Sequence, residues 1–576
     1  MKKNCIKTYT KTMLLAMAFA GLAVLGSGCQ QPGDKTGSDN QVDELYSIEF
    51  TSNNHYAAVD PQHQMDDMFL VNINIGENDI SGNGWINPDI NSVKNIISQK
   101  KLQQAKEITE ALKSQGQIIN ESKSPYDYDV KIDFDRSSSN ARSASNWKDT
   151  WQEPAFALDQ TKDWYGSTPD EKIDNVNAAS SVLKAIGEHC YVWYKDAGSS
   201  EIELENNIFN IMAECFDAIY EKETYMFGSN VPKNSVQNSD EYDNIYIHAT
   251  ENTKINILVY DLYGDVDVTS QTKSGTFGYF RWPDLIKNSA IPAVFAENNF
   301  PSSIEVQSNE IQCIHIDSYF LSIAPAQIIL TLAHEFQHML NYVNKSINYD
   351  NGRSATWYNE MMSMVCEDLM ATQLDITNPK ATPIGRLDYF NCGHELGFKV
   401  WRSGEAVFYS YANAYAFGAF LMRNFGIDMI KSMAHNKYIN EKSVAEALKA
   451  TDAPVTSFNK ALEKFSHVIL TADKGYTLNK SVSKTYKIKG KNVTFNCPAI
   501  DLKTILTWDA TQINSHSYLY GSEADTPYYG PEIYYRVYAE HVSPTGIQVQ
   551  YIGYNYASID LDGYDFKDRK VLVIFK

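Results

Sequence analysis

The stretch Leu330–Val343, LTLAHEFQHMLNYV, constrains this chain more than any other. It contains His334, Glu335 and His338, an H-E-x-x-H pattern. On an α-helix, residues four apart share a face, so both imidazoles can aim at one metal ion while Glu335 reaches a water held beside it. Two histidines with a glutamate as general base is the arrangement of a zinc hydrolase. The helical reading has independent support. Ser322 and Pro325 mark a start, and Ile328, Ile329, Leu332, Phe336, Met339 and Leu340 fall at helical spacing. A catalytic zinc needs a third protein ligand. Glu360 lies 22 residues after His338, inside a second helical pattern, Trp357–Leu369. The polar stretch Asn344–Ser354 between them, with its Asn-Gly turn signal, predicts a loop that brings the second helix back to the first.

With AHEFQHMLN at Ala333–Asn341 and WYNEMMSMVCEDL at Trp357–Leu369, the chain resembles the gluzincin metallopeptidases and looks closest to the hyicolysin family. Asn359 to Ser363 is similar to the thermolysin N-E-x-x-S motif, and the likeness extends to SNEIQCIHIDSY at Ser308–Tyr319 and YAFGAFLMRNFG at Tyr415–Gly426. The resemblance implies that His334, His338 and Glu360 hold Zn²⁺ and that Glu335 is the catalytic base. It also implies a downstream Tyr or His as oxyanion donor, with Tyr415 the candidate and Tyr411 and His394 the alternates. In thermolysin an Asp follows the ligand Glu by four residues; here that position is Met364. Glu367 or Asp368 is the replacement for fixing a ligand imidazole.

The expected architecture is α+β and multidomain. A thermolysin-like, mainly helical catalytic domain is flanked by N- and C-terminal β domains, since 576 residues exceed one core. Residues 1–29 read as a lipoprotein signal peptide: a basic start, the apolar run Met13–Leu25, then Gly26-Ser27-Gly28 before Cys29, the expected lipidation site. Residues 30–45 read as a flexible tether. Residues 46–135 form a β-rich domain, with alternation over Met68–Ile75, a helical interlude at 92–114 and a strand at Tyr128–Phe134. Residues 136–146 are a linker and 147–475 the metallopeptidase domain. Within the latter, Ala178–Tyr194 begins helical and ends strand-like, and Ile208–Tyr220 is an amphipathic helix. Ile311–Ile316 alternates, and the resemblance implies that it is the strand bordering the cleft; Tyr411–Phe425 reads as a helix with Gly418 at a close-packing point. Residues 476–576 alternate again and read as a small β-sandwich.

Six cysteines follow Cys29 at spacings that define no disulfide framework and no paired cluster for structural zinc; His189, His248 and His315 read as structural. Fifty basic against 71 acidic residues give a net charge of −21, which argues against nucleic acid as a partner. The reading is a zinc endopeptidase of extracytoplasmic proteins, lipid-anchored in a bacterial cell envelope. The alternatives are a surface adhesin or host-protein binder on a protease scaffold, and a zinc aminopeptidase. The aminopeptidase lacks support in the absence of a G-x-M-E-N segment.

Overall fold

A computed structural model describes residues 44–81, 119–120, 147–166, 176–196, 207–262, 274–297, 306–349, 352–535 and 541–576, with single residues at 202, 204 and 205. The signal segment with Cys29, nearly all of the tether, the helical interlude, the strand at Tyr128–Phe134 and the linker lie outside the described residues.

In chain order, the elements that position the site are β1 (Ser47–Phe50), β2 (Met68–Asn74), β3 (Thr161–Gly166), β4 (Val176–Ile186), β5 (Cys190–Tyr194), α1 (Ile208–Phe227), β6 (Ile255–Tyr260), β7 (Gly278–Phe280), β8 (Cys313–Asp317), α2 (Pro325–Asn341), α3 (Thr356–Ala371), α4 (Val407–Phe425), β9 (Tyr534–Tyr535), β10 (Ile547–Gly553) and β11 (Arg569–Phe575).

Strands β7-β8-β6-β5-β4-β3 form a six-stranded mixed sheet, parallel at β8/β6 and β6/β5. One face carries the helices: α1 packs on β4 and β5, and α2 on β7 and β8. Phe216 and Tyr220 of α1 meet Phe336 of α2 with ring centroids 5.1 and 5.4 Å apart. The other face holds an aromatic cluster of Trp164, Trp193, Tyr260 and Tyr279. Helix α3 packs between α2 and α4. Gly418 permits this: a Cβ there would sit 2.6 Å from Val365 Cγ2 and 2.8 Å from Met361 Cγ. The expected close-packing point is therefore where α4 presses on the helix carrying Glu360.

Two expectations change. Ala178–Tyr194 is a β-hairpin, not a helix running into a strand; pairing with β3 on one side and β6 on the other overrides its local helical character. The N- and C-terminal β regions are not separate domains, and the last hundred residues are not a sandwich. Their strands merge into one sheet in the order β1-β11-β2-β10-β9. The cause lies in β2, whose seven residues are all buried. The alternation read in its sequence leaves no exposed face, because Asn72 and Asn74 are buried too. Such a strand needs neighbours on both edges, and β10 and β11 supply them, with Val71 opposite Val549 and Leu572. No helix among the described residues is long and apolar enough to cross a membrane.

Candidate active site

Helix α2 starts with Pro325 in its first turn, where a missing N–H costs nothing. Its residues from Ile328 to Asn341 are all buried, so it is a core helix rather than an amphipathic surface one. His334 and His338, one turn apart, present rings whose centroids are 4.7 Å apart. Across from them α3 delivers Glu360, 2% exposed. Its Oε2 lies 3.1 Å from His334 Nε2 and its Oε1 3.6 Å from His338 Nε2. Tetrahedral zinc, with bonds of about 2.0–2.2 Å to nitrogen and oxygen, sets neighbouring donors roughly 3.3–3.5 Å apart. The donor set therefore fits zinc in both chemistry and spacing.

The other ring nitrogens are held as well. Glu367 Oε1 is 2.7 Å from His334 Nδ1, so of Glu367 and Asp368 it is Glu367 that reaches a candidate ligand imidazole. It sits seven residues beyond Glu360, two turns along the same face of α3. Ser363 Oγ is 3.0 Å from His338 Nδ1 and donates to Gln337 Oε1 at 2.6 Å. With each Nδ1–H donated to these partners, the Nε2 atoms that face Glu360 are the ones a metal would use. The role of Ser363 was missed from sequence, although it closes the N-E-x-x-S motif. Asn341 Nδ2 donates to Asn359 Oδ1 at 2.8 Å, tying the end of α2 to the residue before Glu360.

The electrostatics suit a cation. Burial opposes charge on His334, but its hydrogen bonds to Glu360 and Glu367 outweigh burial and hold its pKa well above the ordinary imidazole value. Burial takes His338 the other way, down to about 4, opposed by Glu360 and helped by His334 and Arg353. Glu335, 1% exposed, lines a cleft together with His338, Phe280, Trp282 and Arg353.

Three expectations are corrected here. Asp368 turns away from the imidazoles: its Oδ2 accepts from Arg423 Nη1 at 2.8 Å and from the Tyr415 hydroxyl at 3.0 Å. Tyr415 is thus a fully buried packing residue spent on Asp368, not an oxyanion donor. The alternates are also structural. Tyr411 packs edge-on against Trp401, and His394 has its two ring nitrogens 2.6 and 2.8 Å from the carbonyls of Ile547 and Glu532. The strand bordering the cleft changes as well. Among the described residues β7 is the end of the sheet, whereas β8 is interior, paired on both sides.

Glu367→Ala is expected to weaken metal binding or activity about 10–100-fold by freeing the His334 ring. Metal titration of the variant checks this, and Glu367→Gln should restore part of the loss.

Residues 282–515, which include α2, α3 and α4, match the Peptidase M30 family. The chain is also 27% identical over 231 residues to the neutral metalloprotease ShpI of Staphylococcus hyicus, covering 37% of this chain and 46% of that protein. It thus spans about half the length of the curated relative it matches. Both likenesses support a metallopeptidase.

Proposed function

We propose that this chain is a zinc endopeptidase of the gluzincin type. The observation that carries the reading is the convergence of His334, His338 and Glu360 beside a cleft lined by Glu335. His334, His338 and Glu360 would hold zinc there, and it would supply Lewis-acid activation of the scissile carbonyl and of the attacking water. Glu335 takes the proton of the attacking water and hands it to the leaving amine. Glu367 and Ser363 hold the two imidazoles through their Nδ1 atoms. With Tyr415 committed elsewhere, Arg353 in the cleft is the donor we assign to the developing oxyanion. Phe280 at the end of β7 and Trp282 just beyond it line the same cleft, and we place an extended substrate there, beside the strand. Binding in that extended form needs no free amino terminus, which favours internal bonds over aminopeptidase cleavage.

The basic and apolar start of the chain and Cys29 support lipid anchoring at the outer membrane, the cell surface or the periplasmic face, with extracytoplasmic proteins as substrates. Chelation is expected to abolish cleavage of an internally quenched, N-blocked peptide, and added zinc to restore it. Cleavage that survives chelation, or that is confined to free amino termini, would overturn the reading.

A further inference from the structure

A second set of ligand-type side chains lies on the far side of the six-stranded sheet. In β8 successive residues point to opposite faces. Ile316 packs towards Thr331 of α2, close to where a Cβ on Gly278 would fall. Cys313 instead belongs to the aromatic cluster on the other face. His315, two residues on, shares that side with Cys313. The turn Trp282–Leu285 brings Asp284 to the same point. All three side chains have zero exposure. Asp284 Oδ2 lies 3.1 Å from Cys313 Sγ and 3.3 Å from His315 Nε2, and Sγ and Nε2 are 3.8 Å apart. Zinc bonds of about 2.3 Å to sulfur and 2.0–2.2 Å to nitrogen and oxygen place tetrahedral donors roughly 3.3–3.6 Å from one another. The edges of the triangle, 3.1, 3.3 and 3.8 Å, bracket that spacing.

Its surroundings are those of a built site. Tyr260 Oη is 3.0 Å from His315 Nδ1 and 2.6 Å from Tyr279 Oη, which fixes the imidazole from behind. Asp284 Oδ1 accepts from the Asn309 backbone N–H at 2.9 Å and from its side chain at 3.1 Å. Arg281 Nη1 approaches that same oxygen at 3.7 Å, while its two terminal nitrogens donate to the carbonyls of Tyr165 and Gln307. Oδ2 is therefore the oxygen left to face the thiol and the imidazole.

We infer that Asp284, Cys313 and His315 form a second, three-ligand site for a thiophilic divalent cation, with zinc the ion its mixed S, N, O donor set suits. The site clamps the turn after β7 to the back of β8, next to the strand that borders the catalytic cleft. Without metal, burial and Asp284 keep Cys313 a neutral thiol, with a pKa well above the ordinary value. Metal entry replaces that S–H proton, which leaves to solvent. The imidazole proton then resides on Nδ1, facing Tyr260 Oη. The metal-free form stays hydrogen-bonded and the loaded form is cross-linked, so loading raises stability by mass action.

Cobalt(II) separates this site from the catalytic one, whose ligands include no sulfur. Apo-protein of the full chain reconstituted with Co²⁺ is expected to bind two equivalents and to show an intense near-ultraviolet thiolate-to-cobalt band. Cys313→Ser should lose the band and one equivalent but retain peptide hydrolysis. Glu360→Ala should keep the band and lose hydrolysis. If that variant keeps both its metal and its activity, the catalytic reading fails and the second site stands. X-ray absorption at the zinc edge of the unmodified, zinc-loaded protein reads a sulfur ligand directly, which covers a Cys313→Ser variant that does not fold. A wild-type protein with no sulfur in its metal shell, or a thiolate band that persists in Cys313→Ser, would overturn the second site.

Discussion

Glu335→Gln is expected to lower peptide hydrolysis by about 10²–10⁴-fold, the range for removing a positioned general base. The metal content should be unchanged. His334, His338 and Glu360 form the ligand triangle without Glu335, and the amide fills nearly the same volume at a position 1% exposed. The loss should fall on kcat, because proton transfer is a transition-state interaction rather than one that binds substrate. Glu360→Ala should behave differently, losing metal and activity together because a ligand is gone. Metal analysis beside steady-state kinetics for the two variants separates base from ligand. Full activity in Glu335→Gln would remove Glu335 from the mechanism, whatever its position in the cleft.

The core of the site was legible in the sequence because helical geometry is local. Four residues separate His334 from His338, and seven separate Glu360 from Glu367; both intervals return to one helix face. The third ligand needed only a connection and a second helix; the helix was visible in Trp357–Leu369, whereas the loop expected from Asn344 starts later, because α2 continues as a π-helix over Tyr342–Ile347. Contacts between distant segments were not legible. Alternation shows which face of a strand is buried, not which strand lies beside it. The pairing of Val71 with Leu572 joins opposite ends of the chain, and two separate β domains fit the same pattern equally well. Asp284 has the same difficulty. Nothing in its neighbourhood of sequence connects it to Cys313 and His315, and only the pairing of β7 with β8 brings them together. The choice between Glu367 and Asp368 was open for a narrower reason: adjacent residues on a helix point about 100° apart, and the sequence does not state where α2 lies.

That last pair makes the second large prediction. Asp368 is 3% exposed and receives hydrogen bonds from Arg423 and Tyr415, which are themselves buried. Asp368→Ala strands the Arg423 guanidinium in the interior, and breaking a buried ion pair from one side costs about 3–5 kcal/mol. Thermal or denaturant unfolding should register that loss in full. Arg423 also donates to the Pro498 carbonyl, so the damage is expected to spread to the contact between α4 and the segment after Cys497. The catalytic constants of the fraction that remains folded should change little, since Asp368 touches neither imidazole. Tyr415→Phe removes one hydrogen bond and should cost about 0.5–1.5 kcal/mol, again with kcat preserved. A Tyr415→Phe enzyme that folds normally but loses most of its kcat would restore Tyr415 to the oxyanion role. It would also require α4 to move in the substrate complex, because the hydroxyl is sealed against Asp368 in the structure described.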